Sequence, residues 1–273
     1  MIDFIQGDRF EKVADLTFAP PEMSGADYSK LSNTFSVEGC LKFNPCIVYT
    51  HTFYAKELFN IIKDINNRFI IVTHNSDDDI CFSPPDNVIK WFSQNVNIIH
   101  EKIQSIPIGL ENDRWFVDIY KKEKMIVKLQ EPKDYRNLVY MNFNISTAPN
   151  KRQPVYDLFK DKPWVTVDMR QNGVDFDNYL DNIYNHKFVL CPEGNGIDTH
   201  RIWECLYMGT IPIVDNNINN SFYDKLPLLI INNWDSITED KLLLSYIPLY
   251  MQDQHKEILT FEYWKNKIWN TTL

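Results

Sequence analysis

Between residues 188 and 214 the chain reads FVLCPEGNGIDTHRIWECLYMGTIPIV, and in it Thr199, His200 and Arg201 open a helical pattern with Glu204 three residues after Arg201. A cation and a carboxylate three apart on a helix project side by side. The apolar run 188–191 suits a buried parallel strand, and Pro192, Glu193, Gly194, Asn195 and Gly196 then break its period. Asp198 is the expected N-cap, so the helix should start there, leaving first-turn N–H groups and the helix dipole to hold an anion. Ile202, Leu206 and Gly209 recur at i, i+4 and i+7 and should face a sheet. The expected chemistry is therefore the binding of a phosphorylated ligand at the strand ends of an open α/β sheet. An isolated Arg/Glu pair on a helix is ordinarily a surface ion pair of little weight. The glycine-containing turn, the N-cap and the basic first turn together set this one apart.

Further polar groups stand at other strand ends. Asn142, Phe143 and Asn144 close the run 138–141 and precede a loop with Lys151 and Arg152, so Asn144, Lys151 and Arg152 can approach the same phosphates. His74, Asn75, Ser76, Asp77, Asp78 and Asp79 follow the apolar run 68–73. The segment SIPIGLEN, 105–112, ends another strand with Gly109 at its turn and Glu111 beside it. His51 and Tyr54 follow the strand 46–50 in a similar place, and Trp115 is expected to close the core nearby.

The elements that must position these groups alternate. Strands are expected at 46–50, 68–73, 97–99 and 105–108, with helices at 54–65, 86–94 and 115–129, and a linker at 130–134. A second unit follows, with strands at 138–141, 164–167, 188–191, 211–214 and 228–231, helices at 153–160 and 175–184, and a helical tail over 239–269. This βαβ rhythm implies parallel sheets, and two Rossmann-like halves fit it better than one sheet. The expected division is 1–132, 133–250 and a terminal helix, 251–273.

Composition limits the classes open to the chain. Its 273 residues are 44% hydrophobic and 14% aromatic, enough for real cores, and 28 basic against 37 acidic residues give a formal charge of −9. That balance argues against a nucleic-acid or anionic-membrane binder, so a phosphate must be caught by a local basic spot. Cys40, Cys46, Cys81, Cys191 and Cys205 show no CxxC spacing and read as reduced thiols. No apolar run is long enough to span a bilayer, and the amino terminus lacks a signal-peptide profile, so a soluble, cytoplasmic protein of a reducing compartment is expected.

The run of Pro192, Gly194, Gly196, Asp198, Arg201, Glu204, Leu206, Gly209 and 211–214 resembles the nucleotide-sugar motif of the exostosin-like glycosyltransferases, and most closely the compact chlorovirus-type xylosyltransferases. The resemblance extends over 138–214 and, more weakly, to THNSD and SIPIGLEN in the first half. It implies an α/β GT-B fold, two Rossmann-like parallel-sheet domains facing a central cleft, with C-terminal helices that in this fold often cross back to the first domain. It further implies that Arg201 holds the diphosphate of a UDP-sugar and Glu204 the ribose hydroxyls, with an arginine such as Arg152 in the loop after strand 138–141. Glu193, Gly194, Asn195, Gly196, Asp198, Thr199 and His200 complete the expected donor site. Xylose is the donor sugar by family analogy alone, and the acceptor is a glycan hydroxyl.

Two chemistries suit the aspartates after strand 68–73. In an inverting GT-B enzyme, a first-domain carboxylate deprotonates the acceptor hydroxyl while cations of the second domain carry the diphosphate. Asp77 is the expected base, Glu111 its alternative, and His74 a neighbour that orients it or stacks on the sugar. In a GT-A transferase, Asp77 and Asp79 would instead hold a divalent metal. The Arg201/Glu204 motif favours the first, so no metal and no cofactor is expected. A non-catalytic nucleotide- or glycan-binding module of the same fold stays open as well. The expected partners are a UDP-sugar and a glycan, with no nucleic acid and no membrane span.

Overall fold

The computed structural model describes residues 2–20, 31–113, 120–169, 175–251 and 253–271. Among the described residues, ten strands form two five-stranded sheets, and every pairing within them is parallel. The first holds β1 (Leu16–Thr17), β2 (Cys46–His51), β3 (Phe69–His74), β4 (Val88–Ser93) and β5 (Ile103–Ser105) in sequential order. The second holds β6 (Asn137–Met141), β7 (Val165–Val167), β8 (His186–Leu190), β9 (Ile211–Asp215) and β10 (Leu229–Ile231), ordered β10-β9-β8-β6-β7. These are the two parallel-sheet α/β units expected of a GT-B chain.

The strand orders have a functional consequence. The first sheet runs in one direction throughout, whereas the second turns back on itself between β6 and β8. Such a reversal splays the connections apart and opens a crevice at the carboxyl ends of the two strands. Asn142–Asn144 after β6 and Pro192–Gly196 after β8 lie at that crevice.

Among the described residues, ten helices accompany the strands: α1 (Gly7–Glu11), α2 (Val37–Cys40), α3 (Ala55–Ile62), α4 (Lys121–Lys128), α5 (Pro149–Phe159), α6 (Phe176–Asn185), α7 (His200–Tyr207), α8 (Ile218–Ser221), α9 (Glu239–Tyr250) and α10 (Phe261–Asn270). Local chemistry accounts for several. In α3, Ala55, Leu58, Phe59 and Ile62 are buried at the i, i+3, i+4, i+7 spacing of a single apolar stripe. Pro149 opens α5, where its missing N–H costs nothing. The Asp175 carboxylate caps α6 by accepting from the Asp177 N–H at 3.1 Å.

Alternation within each strand divides the core. Ile70 and Val72 of β3 join one apolar cluster with Tyr140, Val189, Trp203 and Trp264, which spans both halves. Phe69 and Ile71 point the other way, with Leu58 and Trp91. A third cluster gathers Val139, Phe188, Ile213 and Phe159 on the second sheet. All six residues of both β2 and β3 are buried, as strands covered on two faces require. At the far end of the chain, the Phe261 N–H of α10 donates to the Asp3 carbonyl and the Trp269 indole to that of Val13, both at 3.1 Å.

Three expected elements differ. Residues 86–94, read as a helix, contain the strand β4; Val88, Trp91 and Phe92 are buried there, and a strand buried on both faces lacks the alternation that marks a strand. Residues 97–99 form no strand: the pairing in that stretch is a single bridge from Val96 to Ile80. The strand expected at 105–108 ends at Ser105, two residues before Pro107. The short β1 and the α4 start at Lys121 were not foreseen, and Trp115 lies outside the described residues. The helical tail is two helices separated by a 3-10 turn over Asp253–Leu259.

Candidate functional site

Arg152 on α5 and Arg201 on α7 come to the crevice from the two strands that flank it. Arg152 is 6% exposed, and its guanidinium donates to two backbone carbonyls across the switch point, from Nη1 to Asn144 at 2.8 Å and from Nε to Glu193 at 3.0 Å. Burial, and then the charge of Arg201, push its basicity down to about 10. Arg201 has a buried Nε with no hydrogen-bond partner, and so does the Thr199 hydroxyl two residues earlier. Burial opposes the charge on Arg201, but Tyr179, Cys191 and Glu204 more than compensate and raise its basicity. Two guanidiniums with no carboxylate bonded to either, among the described residues, are chemically able to accept a polyanion.

The glycine turn makes room for this arrangement. A Cβ at Gly194 would stand 2.9 Å from Arg152 Nη2, and one at Gly196 would stand 2.6 Å from Asn95 Nδ2. Any side chain at either position would displace the groups that line the turn. At the opposite end of α7, Gly209 takes φ +64° and Lys133 Nζ donates to the carbonyls of Met208 at 3.0 Å and Gly209 at 2.6 Å. A cation on the last carbonyls fixes that helix end.

Helix α7 begins at His200, with Thr199 at its N-cap, and this corrects the expected start at Asp198. The Asp198 carboxylate is turned inward instead. It accepts from the Trp203 indole at 2.9 Å and, across to the first half, from the Ile108 N–H at 2.9 Å. Its own N–H donates to Asn95 Oδ1 at 2.9 Å. Burial raises its pKa to about 6 despite these bonds. Asp198 thus ties the two halves together, with its oxygens committed to protein donors.

Glu204 is 6% exposed and does stand near Arg201, but not alone. Lys121 Nζ donates to its Oε1 and the Tyr179 hydroxyl to its Oε2, both at 2.5 Å. Burial works against ionisation, yet the ammonium of Lys121, the Tyr179 hydroxyl and Arg201 hold its pKa down to about 2.

The remaining expected residues are placed as follows. Glu193 pairs with Lys151 at 2.8 Å and accepts from Asn217 at 2.7 Å, so the Lys151 charge is neutralised locally. Asn144 is exposed and caps the turn Ile145–Thr147, with its Oδ1 accepting from the Ser146 N–H. Asn195 Nδ2 donates at 3.2 Å to Asp77 Oδ2, bringing one residue of each half together across the cleft. Asp77, Asp78 and Asp79 are all exposed, and Asp79 accepts from Asn97 at 3.2 Å. Among the described residues, no three His, Cys, Asp or Glu side chains are grouped to hold a metal ion.

His74 does not reach the cleft. It is 1% exposed, its Nε2–H donates to the Pro107 carbonyl at 3.0 Å, and its Nδ1 accepts from the Asn75 N–H at 2.8 Å. Its ring stacks on Phe10, and burial lowers its pKa to about 4. With both nitrogens engaged it orders the loop ahead of Asp77, and its contacts are with Asn75, Pro107 and Phe10 rather than with Asp77. His51 is likewise buried, with Tyr54 and Phe53 beside its ring. His200 instead donates from Nδ1 to the Gly109 carbonyl at 2.8 Å and directs Nε2 toward Glu111 Oε2 at 3.5 Å. Glu111 and His200, both partly exposed, thereby form a second contact across the cleft.

Three residues at the site carry no motif. Asn95, in the left-handed region at φ 54°, joins Ser76, Asp198 and the Gly196 turn. Its signal, a polar residue after a strand, does not show in a sequence whose 86–94 pattern is helical. Lys121 and Tyr179 are brought to Glu204 by tertiary packing, and no sequence spacing marks them. All five cysteines are free, and no helix among the described residues is long and apolar enough to cross a membrane.

No protein-family model matches the chain, and no curated protein matches it. Among solved structures it is similar to a glycosyltransferase from Rickettsia africae ESF-5, with 13% identity and a TM-score of 0.42 over 86% of this chain and 78% of that one. It is also similar to a chain of the GtfA/B complex, with 14% identity and a TM-score of 0.41 over 86% of this chain and 58% of that one.

Proposed function

We propose that the chain is a glycosyltransferase of GT-B type that transfers a sugar from a nucleoside-diphosphate donor to a hydroxyl of a glycan acceptor. The observation that carries this reading is the pair Arg152 and Arg201 at the reversal of the second sheet, a buried guanidinium and a half-buried one whose Nε is buried without a partner, neither bonded to a carboxylate among the described residues. A diphosphate supplies the missing negative charge, and its charge grows as the bond to the sugar breaks, so the same pair stabilises the leaving group. The motif around Arg201 favours UDP as the nucleotide, and family analogy favours xylose as the sugar.

The reaction under this reading is an inverting displacement without a metal. The acceptor oxygen forms a bond to the sugar C1 as the bond from C1 to the diphosphate oxygen breaks, and that electron pair leaves with the diphosphate. The acceptor proton passes to a carboxylate of the first half. Asp77 is the first choice, because it is exposed and stands against Asn195 of the glycine turn, with Glu111 as the alternative beside His200. The test is UDP release from UDP-sugars with and without sugar acceptors. Acceptor-dependent release supports transfer; UDP binding with no release from any donor makes the chain a binding module.

A further inference from the structure

The bonds around Glu204 bear on how a nucleotide would be recognised. A carboxylate offers about four acceptor sites, two on each oxygen. One site on Oε1 is taken by Lys121 Nζ and one on Oε2 by the Tyr179 hydroxyl, which leaves one site on each oxygen. A carboxylate clamped at both oxygens cannot rotate, so its two remaining sites keep fixed directions. Two adjacent hydroxyls are the partner that such an arrangement accepts together, and a 1,2-diol of this kind occurs in ribose.

The clamp is itself braced. Lys121, Lys124 and Lys128 recur along α4 at the i, i+3 and i+7 spacing of one helix face. Lys124 Nζ meets Asp177 of α6 at 3.0 Å, and Lys128 pairs with Asp181 one turn further along α6. Tyr179 lies on α6 between those aspartates, so the ion pairs that dock α4 on α6 also set where Lys121 and Tyr179 meet Glu204. Tyr179 is 8% exposed and its hydroxyl stays protonated, since burial and the Glu204 charge raise its pKa well above the usual phenol value.

We propose that Lys121 and Tyr179 are positioning residues for the ribose of the nucleotide: acting through Glu204, they fix one open acceptor site on each oxygen toward the 2′- and 3′-hydroxyls. This rests on the nucleotide-sugar reading above. It makes ribose recognition depend on α4, an element outside the motif.

Calorimetry with UDP and with 2′,3′-dideoxy-UDP tests it on the full chain, Lys121→Met and Tyr179→Phe, with circular dichroism as the check on folding. The parent should bind UDP roughly tenfold or more tightly than the dideoxy analogue, and each variant should lose roughly five- to tenfold for UDP, about one hydrogen bond's worth. Affinity for the dideoxy analogue should stay within about twofold, because a positioning defect acts only through the hydroxyls. Equal losses for both ligands would mean general damage to the site and would overturn the assignment, as would unchanged UDP affinity in both variants. Tyr179→Phe removes one oxygen and carries the test alone should Lys121→Met misfold. A parent that binds neither ligand refutes the underlying nucleotide-sugar reading, a result distinct from either of these.

Discussion

Arg152 and Arg201 stand on helices that follow neighbouring strands of one sheet, and the charge of Arg201 depresses the basicity of Arg152. The like charge beside the buried Arg152 is a cost that an anionic ligand removes. Arg201→Met should abolish stabilisation by UDP, while costing the ligand-free protein no more than about 1 kcal/mol, because Tyr179, Cys191 and Glu204 favour its charge there only modestly over the penalty of burial. Thermal unfolding with and without UDP measures both. A ligand-free variant less stable than the parent by several kcal/mol would assign Arg201 a structural role instead.

His74 sets an acid limit on the fold. Its folded pKa of about 4 lies below the ordinary 6.5, so its contribution is present above pH 6.5 and is lost as pH falls toward 4. The shift corresponds to about 3 kcal/mol over that window. Denaturant unfolding between pH 7 and 4 should show a smaller acid loss in His74→Gln than in the parent. Parallel profiles would contradict the buried neutral imidazole.

Asp198 works in the opposite direction. Its folded pKa of about 6 lies above the usual 3.8, so its contribution is present below pH 3.8 and is lost as pH rises through 6. Asp198→Asn should gain on the parent by about 3 kcal/mol in relative stability between pH 4 and pH 7. The same denaturant series measures it, and a difference independent of pH would show that Asp198 is ionised throughout.

The base assignment separates by kinetics. Removing the true base should lower turnover by about 10²- to 10⁴-fold and leave UDP affinity nearly unchanged. Asp77→Asn is expected to do so, while Glu111→Gln retains turnover within a few-fold. The reverse pattern would move the role to Glu111, and full activity in both would refute the inverting mechanism.

Much of this organisation was legible in the chain. The apolar runs at 69–72 and 188–190 declared parallel strands because both faces are buried, and Gly194, Gly196 and Arg201 marked the crevice because close backbone approach and unpaired charge need those residue types. Helix periodicity could not show that Asp198 turns inward, since its partner Ile108 is remote in sequence and a good capping residue is also a good buried acceptor. Trp91 and Phe92 read as helical because a strand buried on both faces shares its pattern with a buried helix, and Asn95 goes unmarked with them. Lys121 reaches Glu204 only through the docking of α4 on α6, which is a property of packing and not of local spacing.

The most direct measurement of the central claim is calorimetric titration of UDP into the parent, Arg201→Ala and Glu204→Ala. Arg201→Ala should weaken binding by about 2–4 kcal/mol, the loss of a buried, charge-assisted phosphate contact. Glu204→Ala should weaken it too, through the ribose hydroxyls. Unchanged UDP affinity in both variants would contradict a nucleotide diphosphate seated at Arg152 and Arg201.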